Sequence, residues 1–238
     1  MKKNPLIVAL DVPSKKEALD MVDQLKVYVD FYKIGLQLFL AEGHGVVEAI
    51  KDCGVNIFLD LKLHDIPNQV AAACRELVKM EVSMFTVHTQ GGFEMMKRAK
   101  EAVEDEAFKL GISPPVVLGV TVLTSLDQKD LTDMGINRKV NEQVLGLASM
   151  ATEAGLDGVV ASPNEISDLK RVLGEDNMIV VPGIRPKGAA KTDQKRVMSP
   201  QEALTKGADY IVVGRPIIEA IDPLNKTVEI LNEIKGVC

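Results

Sequence analysis

Residues 57–67, Ile-Phe-Leu-Asp-Leu-Lys-Leu-His-Asp-Ile-Pro, join an apolar run to Asp60, Lys62 and Asp65. Read as a buried strand, the run puts Asp60 and Lys62 on one face, because side chains two apart point the same way. Charges at that depth are costly unless paired. The pattern therefore points either to a salt bridge or to chemistry. Lys33, in Phe31-Tyr32-Lys33-Ile34-Gly35, adds a second cation on another short run. Alternation of sign keeps Lys62 protonated beside two carboxylates and lets it act as an acid. A carboxylate held near an anionic substrate group would repel it, and the repulsion would be relieved if that group left as a neutral molecule. Decarboxylation with Lys62 protonating the carbanion fits these electrostatics, and enolate chemistry fits them equally.

The elements that must position these groups follow from periodicity. Short β-branched runs predict strands at Leu6–Asp11, Phe31–Gly35, Asn56–Lys62, Met84–Thr89, Val116–Leu123, Gly158–Ser162, Met178–Pro182 and Tyr210–Gly214. Amphipathic segments between them predict helices at Lys15–Val27, Gly45–Lys51, Val70–Met80, Glu94–Ala107, Asn141–Glu153, Asn164–Leu173, Pro200–Lys206 and Leu224–Ile234. Ser14 ahead of Glu17 reads as a helix N-cap, and Gly54, Gly155 and Gly207 read as helix stops. Each unit takes roughly thirty residues, the size of a βα repeat. Runs such as Ile179-Val180-Val181 and Ile211-Val212-Val213 suit buried parallel strands. The alternation predicts an α/β fold, a (β/α)8 TIM barrel, as a single domain over residues 1–238. An open doubly wound sheet is the runner-up, but no Gly-x-Gly-x-x-Gly follows the first strand.

In such a barrel the site lies at the C-terminal ends of the strands. Those ends carry Asp11, Lys33, Asp60, Lys62, His88, Thr124-Ser125, Arg185 and Gly214-Arg215. One such residue is unremarkable as a rim salt bridge; a polar group at the same end of most strands is not. Loops after strands 7 and 8 often bind phosphate, with glycine admitting the ligand to the backbone and arginine forking its oxygens. Arg185 and Gly214-Arg215 occupy those places, so a phosphorylated small molecule is expected. Asp11, Asp60 and Asp65 could hold Mg²⁺, but two interleaved lysines disfavour a cation there. His44 and His64 fit a helix start and rim packing better than a hydrolytic triad.

Composition narrows the partners. A net charge of −6 with no basic stripe, no Trp and 4% aromatic residues argues against nucleic acid. Cys53, Cys74 and Cys238 have no metal-like spacing and suit reduced thiols in the cytoplasm. The start Met-Lys-Lys-Asn-Pro has no signal-peptide core, and no segment approaches a membrane span.

At these residues the chain resembles the orotidine 5′-phosphate decarboxylase family. The likeness runs from Ile7-Val8-Ala9-Leu10-Asp11 and Tyr32-Lys33-Ile34-Gly35, through Phe58–Pro67 and Leu123-Thr124-Ser125, to Pro182-Gly183-Ile184-Arg185, Asp193–Val197 and Val213–Ile217. The Asp-x-Lys-x-x-Asp core is shared with Mg²⁺-dependent sugar-phosphate decarboxylases and synthases, which are the alternative; a silent nucleotide-binding barrel is a second. The resemblance implies conversion of orotidine 5′-monophosphate to UMP and CO₂ without cofactor or metal. It implies ribose contacts for Asp11 and Lys33, a place for Asp60 against the substrate carboxylate, and protonation of C6 by Lys62. Thr124 and Ser125 would contact the pyrimidine, while Arg185, Gln194, Gly214 and Arg215 would hold the phosphate under a closing 185–194 loop. Asp65 would enter the neighbouring subunit's site in a homodimer, with Ile66 and Gln69 beside it. Gln69 departs from the threonine common at that position.

Overall fold

The computed structural model describes residues 4–186 and 198–235. Along the chain run β1 (Leu6–Ala9), α1 (Lys15–Leu25), β2 (Phe31–Gly35), α2 (Leu36–Glu42), α3 (His44–Lys51), β3 (Asn56–Leu63), α4 (Pro67–Lys79), β4 (Met84–His88) and α5 (Phe93–Leu110). They continue with β5 (Val116–Val120), α6 (Gln128–Asp133), α7 (Val140–Glu153), β6 (Gly158–Val160), α8 (Ile166–Leu173), β7 (Met178–Val181), α9 (Pro200–Thr205), β8 (Tyr210–Val213), α10 (Arg215–Ile218) and α11 (Pro223–Ile234). The eight strands pair in chain order, all parallel, and β8 closes onto β1. This is the expected (β/α)8 barrel.

Alternation along each strand makes two cores. Outward residues such as Val8, Tyr32, Ile34, Leu59 and Val181 pack under the helices. Inward residues such as Ile7, Phe31, Phe58, Met84, Leu118 and Tyr210 fill the barrel. Burying one such side chain contributes about 1.5–3 kcal/mol, so the lower barrel is a packed floor. Continuing each inward series upward reaches Asp11, Lys33, Asp60, Thr86, Val120, Val160, Pro182 and Gly214. The alternation that builds the core thus also delivers the polar groups to one mouth.

Several predicted strands run too far at the C-terminal end. β6 ends at Val160, its partner β5 at Val120, and β1 at Ala9. Each ladder stops when its neighbour leaves the sheet, so Asp11, Thr121–Leu123 and Ala161-Ser162 belong to loops. β3 instead runs on to Leu63. Helices α2, α6 and α10 were not expected. α2 is a short, largely apolar segment that Gly43, at φ +61°, separates from α3. Ser14 caps α1 as expected, accepting from the Glu17 N–H. Gly54, Gly155 and Gly207 all take positive φ.

The opposite end of the barrel has a repeated device. The residue just before β4, β6 and β8 accepts the N–H of the second residue of the preceding strand. Ile57 donates to Ser83 Oγ at 3.3 Å, Val117 to Asp157 at 2.8 Å and Ile179 to Asp209 at 2.8 Å. The two aspartates also hold lysines from the helices, Lys100 at 2.7 Å and Lys170 at 3.1 Å. Gly207 lets the Lys170 stem pass: a Cβ there would come within 3.0 Å of Lys170 Cγ. Asp209→Ala should lower unfolding free energy by about 1–3 kcal/mol, since it strands the Ile179 N–H and leaves the Lys170 ammonium only the more distant Glu175 carboxylate, at 3.9 Å. Urea denaturation checks this, with activity per folded molecule unchanged.

Candidate active site

The network begins on three adjacent strands. Lys33 rises from β2, Asp60 and Lys62 from β3, and Thr86 from β4. Lys62 Nζ lies 2.9 and 3.0 Å from the two Asp60 oxygens. Lys33 Nζ bridges Asp11 Oδ1 at 3.1 Å and Asp60 Oδ2 at 3.8 Å. Thr86 Oγ1 donates to Asp60 Oδ1 at 2.9 Å. Gly35 leaves room for the bridge as it stands: a Cβ there would sit 2.9 Å from Lys33 Nζ and 3.2 Å from Asp11 Oδ1, so both side-chain ends would have to shift.

The charged pair does not sit on a regular strand, as simple alternation expects. Leu59 pairs with Phe85 and Leu63 with Val87, so β3 carries extra residues opposite β4. Lys62 lies in this bulge with φ +53°, one of two non-glycine residues at positive φ among the described residues. Its N–H finds the Thr86 hydroxyl, at 2.9 Å. Bulges re-aim side chains and cluster near active sites, and a non-glycine residue in this region costs of order 1–3 kcal/mol.

Burial works against the charge on Asp60. The Lys33 and Lys62 ammonium groups, with hydrogen bonds from Lys62 and Thr86, outweigh it and hold the carboxyl below its ordinary value. Beside them His64 and His88 stack with ring centroids 5.4 Å apart. Burial, then His64 and Lys62, push His88 downward, so its ring is neutral near pH 7. Its Nδ1 accepts from the Gln90 N–H.

The charged groups of this network open into a cavity of about 270 Å³. One side carries Asp11, Lys33, Asp60 and Lys62. Val120, Val122, Leu123, Val160 and Ala161 form an apolar wall, with Thr124 and Ser125 above it. Gly183, Arg185, Gly214 and Arg215 complete the lining, and Gly214 lies next to Asp11, whose Oδ2 a Cβ at Gly214 would approach to 3.3 Å. Arg185 is anchored through its N–H to Met198 O at 2.9 Å, and Ile184 bridges Met198. Residues 184 and 185, where the expected 185–194 loop begins, are therefore tied to Met198. Gln194 lies outside the described residues.

Three predicted residues are elsewhere. Asp65, Ile66 and Gln69 are exposed beside the start of α4 and do not line this cavity. Asp65 Oδ1 accepts the Ile66 N–H at 2.6 Å, and Ile66 is 64% exposed. Sequence reasoning passed over Thr86 and the apolar wall. A lone hydroxyl residue in the run Met-Phe-Thr-Val-His was the available signal for Thr86.

A closed (β/α)8 barrel with acid–base side chains and arginines at the C-terminal mouth defines an enzyme of the barrel class that acts on an anionic ligand. The sequence matches the family described as orotidine 5′-phosphate decarboxylase / HUMPS over residues 4–230. The orotidine 5′-phosphate decarboxylase of Moorella thermoacetica is 48% identical over 99% of this chain and 94% of its own length. That of Carboxydothermus hydrogenoformans is 48% identical over 98% of this chain and 96% of its own. The crystal structure of the Lactobacillus acidophilus enzyme superposes with a TM-score of 0.85 at 37% identity, covering 98% of this chain and all of that one. The chain belongs to the orotidine 5′-phosphate decarboxylase / HUMPS family.

A group whose native value is depressed stabilises the fold above the ordinary carboxylate range, and the contribution is lost as pH falls through the native value. Wild type should therefore lose more unfolding free energy than Asp60→Asn between about pH 5 and about pH 3. Equal slopes in urea denaturation would show that Asp60 carries no such linkage.

Proposed function

We propose that this chain decarboxylates orotidine 5′-monophosphate to UMP and CO₂ in pyrimidine biosynthesis, with Lys62 as the proton donor. The observation that carries the reading is the contact of Lys62 Nζ with both Asp60 oxygens, inside the cavity that Arg185 and Arg215 also line. The substrate carboxylate would sit against Asp60 and be repelled by it. The bond from C6 to that carboxylate breaks, the electron pair stays on C6, and CO₂ leaves uncharged. Lys62 Nζ then gives its proton to C6. Asp11 and Lys33 bind the ribose hydroxyls, and Lys33 also stabilises Asp60. The apolar wall takes the face of the pyrimidine, with Thr124 and Ser125 at its edge. Arg185, Gln194 and the Gly214-Arg215 turn take the phosphate, whose binding energy can drive loop closure and orientation far from the reacting carbon.

A Mg²⁺-dependent sugar-phosphate reaction fits the charge arrangement less well. The Asp60 oxygens already face two ammonium groups, which would repel a divalent cation at that place. Loss of orotidylate absorbance in EDTA, with no metal added, is the expected result. Lys62→Ala should abolish it while keeping the circular dichroism spectrum and UMP binding. Turnover by that variant, or a requirement for metal, would refute the assignment.

The active enzyme is a homodimer in this reading, in the cytoplasm, without nucleic-acid or membrane partners. Its support is the exposure of Asp65, Ile66 and Gln69 together, outside the cavity of their own chain. Asp65 then completes the partner's site, with Ile66 and Gln69 lining the crossing. Lys62→Ala and Asp65→Ala proteins, each nearly inactive, should recover about a quarter of wild-type activity when mixed and allowed to exchange, because the mixed dimer holds one intact site. No recovery despite exchange, followed by native mass spectrometry, would exclude the shared site.

A further inference from the structure

Thr86 is fully buried on β4 and is not among the residues lining the cavity. A β-branched side chain suits a strand, but valine would serve packing without a hydroxyl. A buried hydroxyl is costly unless its hydrogen bonds are made, and a hydroxyl can donate once while accepting elsewhere. Both hydrogen-bond partners of the hydroxyl belong to the charged pair: Thr86 Oγ1 accepts the Lys62 N–H at 2.9 Å and donates to Asp60 Oδ1 at 2.9 Å. The first bond replaces a ladder partner that the β3 bulge removes from Lys62. The second fixes one carboxylate oxygen, leaving the carboxylate plane little freedom to turn about its bond to Cβ.

We propose that Thr86 is a positioning residue, whose hydroxyl clamps the Asp60 carboxylate and the Lys62 backbone together across the bulge. The inference rests on the decarboxylase reading for its kinetic consequence, but the clamp itself is readable without turnover. Other groups facing the pair are Lys33 from β2, with Asp11 of the β1 end behind it, and His64 and His88 near Lys62. None of them contacts the Lys62 N–H.

Thr86→Val keeps the shape and removes the hydroxyl; Thr86→Ser keeps the hydroxyl and removes a methyl. Thr86→Val should lower kcat about 10- to 100-fold, with KM for orotidylate and Kd for UMP little changed, because phosphate and ribose contacts are untouched. Thr86→Ser should recover most of the loss. Carboxyl-carbon NMR of Asp60 supplies the readout independent of activity: its titration midpoint should rise in Thr86→Val and return in Thr86→Ser. Should Thr86→Val not fold, Thr86→Ala against Thr86→Ser makes the same comparison. An unchanged kcat and midpoint in the variant lacking the hydroxyl, or no recovery with serine, overturns the clamp. A wild-type protein that leaves orotidylate intact overturns the functional reading instead, and the NMR midpoints still decide the clamp.

Discussion

One buried carboxylate sets the terms for this site. Asp60 stays charged in the barrel mouth only because Lys33, Lys62 and Thr86 reach it from three consecutive strands. Removing a single partner of a buried ion pair is far more damaging than its net contribution suggests, because the remaining charge is left unpaired. The register of β2 on β3, where Gly35 pairs with Asp60, and the bulge of β3 against β4 are therefore parts of the site as much as of the fold. So is the bare Cα of Gly35, which leaves room for the Lys33–Asp11 bridge.

The two ends of the barrel answer to different demands. At the N-terminal end, Ser83, Asp157 and Asp209 satisfy backbone donors that the sheet leaves open, and lysines from the helices neutralise the aspartates. At the C-terminal end the chain holds positive φ at Lys62 and places like charges near one another. Such strain persists only where the surroundings over-determine it. The packed floor of Phe31, Phe58, Met84 and Tyr210 directly beneath supplies that rigidity.

Much of this was legible from periodicity and type. The βα alternation marks the barrel, and the fold rule then carries Asp11, Lys33, Asp60, Lys62, Arg185 and Arg215 to one mouth, where the cavity gathers them. Less legible were features decided between strands. A bulge depends on how β3 meets β4, and no window within β3 reveals its partner's register. Strand ends were overrun for the same reason: β5 stops at Val120 because β6 stops at Val160. Thr86 carries a strand-forming side chain, so its type alone does not separate packing from hydrogen bonding.

The cavity has a direction, and this restricts its ligand more than any single residue does. Charged groups from β1 to β3 stand on one side, the wall of Val120, Val122 and Val160 lies across from them, and Arg185 and Arg215 arrive from β7 and β8. A sugar phosphate would meet the arginines and the charged groups of β1 to β3 but leave the valine wall facing water. A free base would satisfy the wall but bring no anion to the arginine side of the cavity. A nucleotide with a carboxylate on its base meets all three surfaces together. In the proposed reaction it would also put the charge to be lost beside Asp60, where departure as a neutral molecule would remove the repulsion that binding imposed.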